Sequence, residues 1–192
     1  MSLITKSQLL ERAQKASGYF TEGNIRSDAN RSLILAKAAS DASGGIFDVF
    51  LSHSSEDAIL VRGLRDELTD AGLRVYVDWI DDPQLDRTNV TSATAATLRM
   101  RMDSCRCLLY ATSKNTRGSV WMPWELGYMD AKTDARVGIV PIVEEYQAYD
   151  EFAGVEYLGL YPYLDKTGAT FWIHKSRNVY VQFSKWMAGT NP

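Results

Sequence analysis

The chain has 192 residues, 45% hydrophobic and 23% charged, which is enough for one sizeable core without a disulfide or metal staple. A net charge of -3 argues against a nucleic-acid binder working through a basic surface. The two cysteines, Cys105 and Cys107, stand only two positions apart, which excludes a zinc cluster and a disulfide scaffold. No apolar run reaches the length of a membrane span, and Met1 to Lys6 leads into a polar helix rather than a secretory leader. The expectation is a cytoplasmic protein with no membrane, nucleic-acid or metal partner.

Residues 1–45 read as a helical extension and linker, and residues 46–192 as the main domain. Thr5 and Gln8 have capping-box spacing, and Leu9, Leu10, Ala13 and Ala16 then form a helical stripe to about Ser17. A second helix is expected from Asp28 to Ala39, followed by a break over Ser40–Gly45. Helices this short need a partner, either the main domain or a second subunit. From Ile46 the pattern alternates strand and helix: strand Ile46–Leu51, helix to Gly72 through Leu60, Val61, Leu64 and Leu68, strand Leu73–Val77. A polar loop, Asp78–Asn89, precedes a helix over Thr91–Met102 and a strand over Cys105–Tyr110. A further loop, Thr112–Val120, leads to a helix with Pro123 as its first residue, and Val137–Val143 is the next strand. Tyr157–Tyr161 is expected as a fifth strand and Asn178–Met187 as a closing helix. Such alternation calls for an open, doubly wound α/β domain with a parallel sheet covered on both faces.

In that architecture ligands bind beyond the carboxyl ends of the strands. The first strand–helix junction lacks the glycine fingerprint of a dinucleotide-binding dehydrogenase, and no phosphate-loop motif occurs. Ser52-His53-Ser54-Ser55 is either a polar helix cap or an anion and ribose cradle. Trp121-Met122-Pro123-Trp124-Glu125-Leu126-Gly127-Tyr128 sets two tryptophans and a tyrosine around one carboxylate. With Pro123 first in the helix, Glu125 falls third, where the peptide dipoles favour its ionised form. It is either a capping carboxylate among core aromatics or a group that stabilises a cationic sugar transition state. Ordinary glycosidic cleavage usually takes two carboxylates, because the leaving oxygen must be protonated. The nicotinamide–ribose bond of NAD+ already carries a cationic leaving group, so a single glutamate suffices. The acidic residues of the Asp78 loop, and Arg99, Arg101 and Arg106, read as solvated charge or, for the arginines, subunit pairing. His174 reads as a surface histidine, and the two cysteines as inert core thiols.

Phe47-Asp48-Val49-Phe50-Leu51-Ser52-His53-Ser54-Ser55-Glu56-Asp57 resembles the opening strand and first loop of a Toll/interleukin-1 receptor (TIR) domain. Ser113-Lys114-Asn115-Thr116, then Ser119, Trp121 and Glu125-Leu126, resembles that family's segment around its catalytic glutamate. The resemblance covers residues 46 to 187. It implies a flavodoxin-like three-layer fold with a central five-stranded parallel sheet, and membership of the NAD+-consuming bacterial branch. A chain with this one domain also resembles the stand-alone TIR component of Thoeris-type antiphage systems. The implied activity is that of an NAD+ glycohydrolase or ADP-ribosyl cyclase, with NAD+ as substrate, no cofactor, and nicotinamide plus ADP-ribose or a cyclic isomer as products. The resemblance makes Glu125 the catalytic residue and places Ser119 and Trp121 at the nicotinamide-ribose site. His53 and Ser54 would face the dinucleotide, and the mobile loop carrying Asp78 and Arg87 would gate the pocket and mediate self-association. A separate effector protein would read the nucleotide product. A catalytically silent interaction module and a nucleoside glycosyl transferase are the alternatives.

Overall fold

The computed structural model describes residues 2–17, 47–82, 85, 90–134, 136–144, 152 and 156–192. The helix expected over Asp28–Ala39, the linker Ser40–Gly45, and Arg87 lie outside the described residues.

Strand β1 (Ile4–Thr5) runs directly into helix α1 (Lys6–Ser17). The capping box forms as read: the Thr5 amide donates to Gln8 Oε1 at 3.0 Å, and the Gln8 amide to Thr5 Oγ1 at 3.2 Å. Strand β2 (Phe47–Ser52) follows, then a 3-10 turn at Ser55–Asp57 and helix α2 (Ala58–Asp70). Leu60, Val61, Leu64 and Leu68 form the buried stripe of α2. Gly72, at φ +84, ends it in the left-handed conformation that a side chain resists. Strand β3 (Val75–Tyr76) leads to a single helical turn, α3 (Asp78–Asp81), where an irregular loop was expected. Helix α4 (Ser92–Asp103) is capped by Thr91, whose side chain accepts from the Thr94 amide at 3.1 Å. Strand β4 (Cys105–Thr112), helix α5 (Trp121–Lys132) and strand β5 (Val137–Val143) complete the alternating part.

The sheet has eight strands among the described residues, in the order β3-β2-β4-β5-β6-β7-β8, with β1 paired to β5. Strands β2 to β5, and β6 (Tyr163–Thr167) against β5, pair in parallel, as the alternation predicted. The rest differs from the expected five strands. Tyr157–Tyr161 is not a strand: Glu156–Leu160 is a 3-10 turn and the strand begins at Tyr163. Strand β7 (Thr170–Ser176) then returns antiparallel, and β8 (Val179–Gln182) pairs antiparallel to it. The expected closing helix is thus a strand followed by a short helix, α6 (Phe183–Met187). Val179-Tyr180-Val181 has the β-branched and aromatic residues that favour an extended, half-covered edge.

Two apolar layers sandwich the sheet. One joins α1, α2 and α6 through Leu9, Leu64, Leu68 and Trp186; the other joins α4 and α5 through Leu98, Met102, Met122 and Met129. Residues 2–17 are built into this fold rather than appended to it. Ile4 and Thr5 pair with Ile142 and Val143 of β5, and Leu3, Ile4, Leu9 and Ala13 are buried. Helix α1 lies on α2 so closely that a Cβ placed on Gly63 would sit 2.2 Å from the Leu9 carbonyl oxygen. Arg12 fixes the same pair of helices through Asp70, with Nε at 3.0 Å and Nη2 at 2.7 Å. The partner that α1 requires is therefore supplied within the chain. Gly63→Ala should force the two backbones apart and lower unfolding stability by about 1–3 kcal/mol. A urea melt of the variant beside wild type measures it, and an unchanged midpoint would contradict the contact.

Candidate active site at the carboxyl end of the sheet

Helix α5 buries Trp121, Met122, Glu125, Leu126 and Met129, one continuous face at spacings of one, three and four. A glutamate in the middle of an apolar face is costly unless something compensates the charge. Ser52, the last residue of β2, supplies a partner: its hydroxyl donates to Glu125 Oε2 at 2.6 Å. Both residues are 0% exposed. The helix begins at Trp121, so Glu125 is its fifth residue rather than its third. The dipole contribution expected at the first turn is correspondingly weaker, and the serine hydroxyl takes over that role.

Tyr110 stands beside Ser52 in register across β2 and β4 and completes this cluster. Its phenol is pushed upward by burial, then by hydrogen bonding and proximity to Tyr157, and by the negative charge of Glu125. Tyr110 is also a wall of an open cleft of about 1230 Å³ between the mouths of β4 and β5. Ser119, Thr112, Ser113 and Lys114 line one side of the cleft, and Ile142 to Glu144, Phe152 and Tyr157 the other. Glu125 is not among the lining residues and is shielded from solvent.

The other expected site residues, Arg87 excepted, lie among the described residues. Ser119 lines the cleft and accepts from the Met122 amide at 3.3 Å, which anchors the start of α5. Trp121 is 6% exposed and meets Trp124 edge-on at 5.5 Å, so its ring packs in the core. His53 and Asp78 come together, with Nε2 3.4 Å from Oδ1, while His53 Nδ1 lies 2.8 Å from the Leu51 carbonyl oxygen. That second contact requires a proton on Nδ1. Ser54 caps the 3-10 turn, accepting from the Glu56 amide at 3.4 Å. His53, Ser54 and Asp78 are all buried and none lines the cleft.

Several residues read as bland from sequence have definite tasks. Asp57, buried at the start of α2, receives the Ser113 hydroxyl at 2.5 Å and the Asn115 amide at 2.7 Å. It thereby ties the β4–α5 loop to the first loop. Asp82 is not solvated: it accepts from Tyr76 at 2.8 Å and from Arg101 at 2.6 and 2.7 Å, a forked pair. Arg106 reaches Asp48 at 3.4 Å and Arg99 lies over the Trp124 ring, so the basic cluster is used within the chain. His174 is 2% exposed, not on the surface, with Nε2 3.1 Å from Asp165 Oδ2. The cysteines behave as read. Burial pushes the Cys105 thiol up to about 12 and Cys107 up as well, which disfavours the reactive thiolate.

Two measurements follow from these placements. Trp121→Ala should cost roughly 3–5 kcal/mol of unfolding free energy, as truncation of a core aromatic does, with Trp121→Phe much milder. Equal melting temperatures for all three proteins would return the ring to the surface. Burial raises Asp81 to about 6, partly opposed by Arg65 and the Val77 amide. The folded state therefore holds this proton more tightly than the unfolded chain does. The contribution of Asp81 to stability should be full below about pH 4, fall by about 1–3 kcal/mol as pH rises towards 6, and level off above that. Denaturation midpoints across that window, with Asp81→Asn lacking the fall, check it.

Comparison with known proteins agrees with this geometry. Residues 49–186 match the TIR domain family. The chain is 41% identical, over 97% of its own length and 98% of the relative's, to a protein of Bacillus cereus (strain MSX-D12) named probable 3' cyclic ADP-D-ribose synthase ThsB'. It is also 27% identical, over 43% of its length and 22% of the relative's, to a putative cyclic ADP-D-ribose synthase TIR2 of Cytobacillus dafuensis. With the parallel α/β core, the two joined motif loops and a glutamate on the buried face of α5, the chain belongs to the TIR domain family.

Proposed function

We propose that this chain cleaves the nicotinamide–ribose bond of NAD+ and closes the remainder into a cyclic ADP-ribose, the 3' isomer. The observation that carries the reading is Glu125, an ionisable group 0% exposed on an apolar helix face whose carboxylate accepts from the Ser52 hydroxyl. The relatives' names, both cyclic ADP-D-ribose synthases, support the same chemistry.

The reaction divides into two steps. The bond between the nicotinamide ring nitrogen and the ribose carbon breaks, and its electron pair leaves with the ring, which becomes neutral nicotinamide. No proton needs to be delivered. The positive charge left on the ribose is stabilised by the Glu125 carboxylate, whose effect is strongest where water is excluded. A hydroxyl of the same molecule then forms the new bond to that carbon and gives its proton to Glu125. A dry carboxylate favours this internal hydroxyl over water, and hence cyclisation over hydrolysis. The chain's own contribution is to bind, to exclude solvent, and to fix one negative charge.

The cleft beside Tyr110 is the natural entrance for the substrate, since it opens at the carboxyl ends of β4 and β5 and contains Ser119. Antiphage signalling, with the cyclic product as messenger and a separate effector protein as its reader, is the biological role proposed from the resemblance to stand-alone Thoeris-type TIR components. Self-association through the domain's own surfaces belongs to the same proposal. No helix among the described residues is long and apolar enough to cross a membrane.

Incubation with NAD+ followed by mass-resolved analysis should yield nicotinamide and a nucleotide one water lighter than ADP-ribose. Glu125→Gln should reduce nicotinamide release by about 10²–10³ while the protein still unfolds cooperatively. Near-normal turnover in the folded variant would overturn the assignment of Glu125. Release of free base from a deoxynucleoside would select the glycosyl transferase, and no turnover of any substrate would select the silent module.

A further inference from the structure

We infer that Ser52 is a positioning residue for the reaction: through its hydroxyl it holds the Glu125 carboxylate ionised and aimed, without itself touching substrate. The inference rests on the reading of Glu125 as the group that faces the ribose cation. Three observations carry it. The bond is short, 2.6 Å, within the range of a hydroxyl donating to a charged oxygen. Both partners are fully buried, so water cannot replace the donor if it is lost. Ser52 is also the last residue of β2 and pairs with Tyr110 of β4, so its Cβ is fixed by sheet backbone. A helix-borne glutamate is thus referenced to a sheet-borne hydroxyl, and α5 cannot slide along the sheet without breaking the bond.

The neighbouring strand contributes the other side of the arrangement. Tyr110, in register with Ser52, lines the cleft and is close enough to Glu125 to feel its charge, with its hydroxyl engaged by Tyr157. Ser52 therefore supplies the carboxylate with a donor, and Tyr110 links the same charge to the cleft wall. Losing the serine hydroxyl should leave the carboxylate in place but harder to ionise and less firmly oriented. Chemistry should suffer, not substrate capture.

The test compares wild type, Ser52→Ala and Ser52→Thr. Ser52→Ala should lower kcat for nicotinamide release by about tenfold with KM within about twofold, and move the acid limb of the pH–rate profile to higher pH. Ser52→Thr keeps a donor and should recover most of kcat and the wild-type acid limb. Thermal melts verify that each variant folds, and Ser52→Ala decides the matter alone if the added methyl group of threonine is not accommodated. An unchanged kcat and pH profile in folded Ser52→Ala would overturn the role of Ser52 while leaving Glu125→Gln to report on Glu125. A fall in melting temperature without either kinetic change would make Ser52 structural only. If wild type releases no nicotinamide, the reading of Glu125 fails by itself. Carbon-detected NMR titration of the Glu125 carboxyl then still tests Ser52: an upward shift in Ser52→Ala supports it, and identical curves refute it.

Discussion

The constraint from which the rest follows is the placement of one carboxylate on the buried face of α5. Glu125 shares that face with Trp121, Met122, Leu126 and Met129, so the helix packs on the sheet as an apolar element with a charge at its centre. A buried charge of this kind must be given hydrogen bonds or it will neutralise or unfold its surroundings. The fold answers by ending β2 with a serine whose hydroxyl meets the carboxylate. The position of α5 along the sheet, the end of β2 and the site charge are then one geometric fact.

A second carboxylate organises the loops around the first. Asp57 receives side-chain donors from Ser113 and Asn115, and Thr116 Oγ1 accepts from the Ser113 amide at 2.8 Å. The two motif segments, which are more than fifty residues apart in sequence, are bonded to each other at the mouth of the sheet. This explains physically why a Ser-Glu-Asp turn and a Ser-Lys-Asn-Thr loop occur in one chain. Each is the partner of the other, and together they fix the approach to α5. The acidic loop after β3 is organised by the same rule: Asp81 accepts from the Val77 amide at 2.7 Å, and Asp82 is gripped by Tyr76 and Arg101. What looks in sequence like solvated negative charge is a set of internal acceptors.

The alternating part of the fold was legible because β2, β4 and β5 are apolar runs and α2 carries a clear apolar stripe. The capping box at Thr5 and the Thr91 cap form where they read. The end of the chain was not legible. Tyr157–Tyr161 and Val179–Val181 are short apolar runs, and such runs do not distinguish strand from helix by period alone. The pairing of β7 and β8 is decided by tertiary partners, for example His174 stacked between Tyr163 and Tyr180 at 5.1 and 5.0 Å. At the site, Glu125 was legible from its aromatic surroundings, and a sharper signal lay in the five-residue apolar face that it interrupts. Ser52 was visible only as part of a polar cap or anion cradle, and Asp57 only as the end of the first-loop motif. Their roles depend on contacts 73 and 56 positions away, which no local pattern encodes.

The N-terminal residues belong to the same argument. Strand β1 pairs with Ile142 and Val143, the end of β5 that lines the cleft, and Ser2 bridges to Lys166 on β6. The first residues of the chain thus bridge β5 and β6 beside one wall of the cleft. Glu144 at the rim stands 3.8 Å from Lys6 and 3.3 Å from Lys114, which links the N-terminal helix, β5 and the β4–α5 loop. Ion pairs this exposed contribute little energy, so the coupling resides in the sheet pairing and in the Leu9–Gly63 contact. A helix that grips α2 and a strand that flanks β5 together span the sheet from its helical layer to its ligand-facing edge. The segment that looks in sequence like an appendage is therefore one of the supports that set the shape of the cleft.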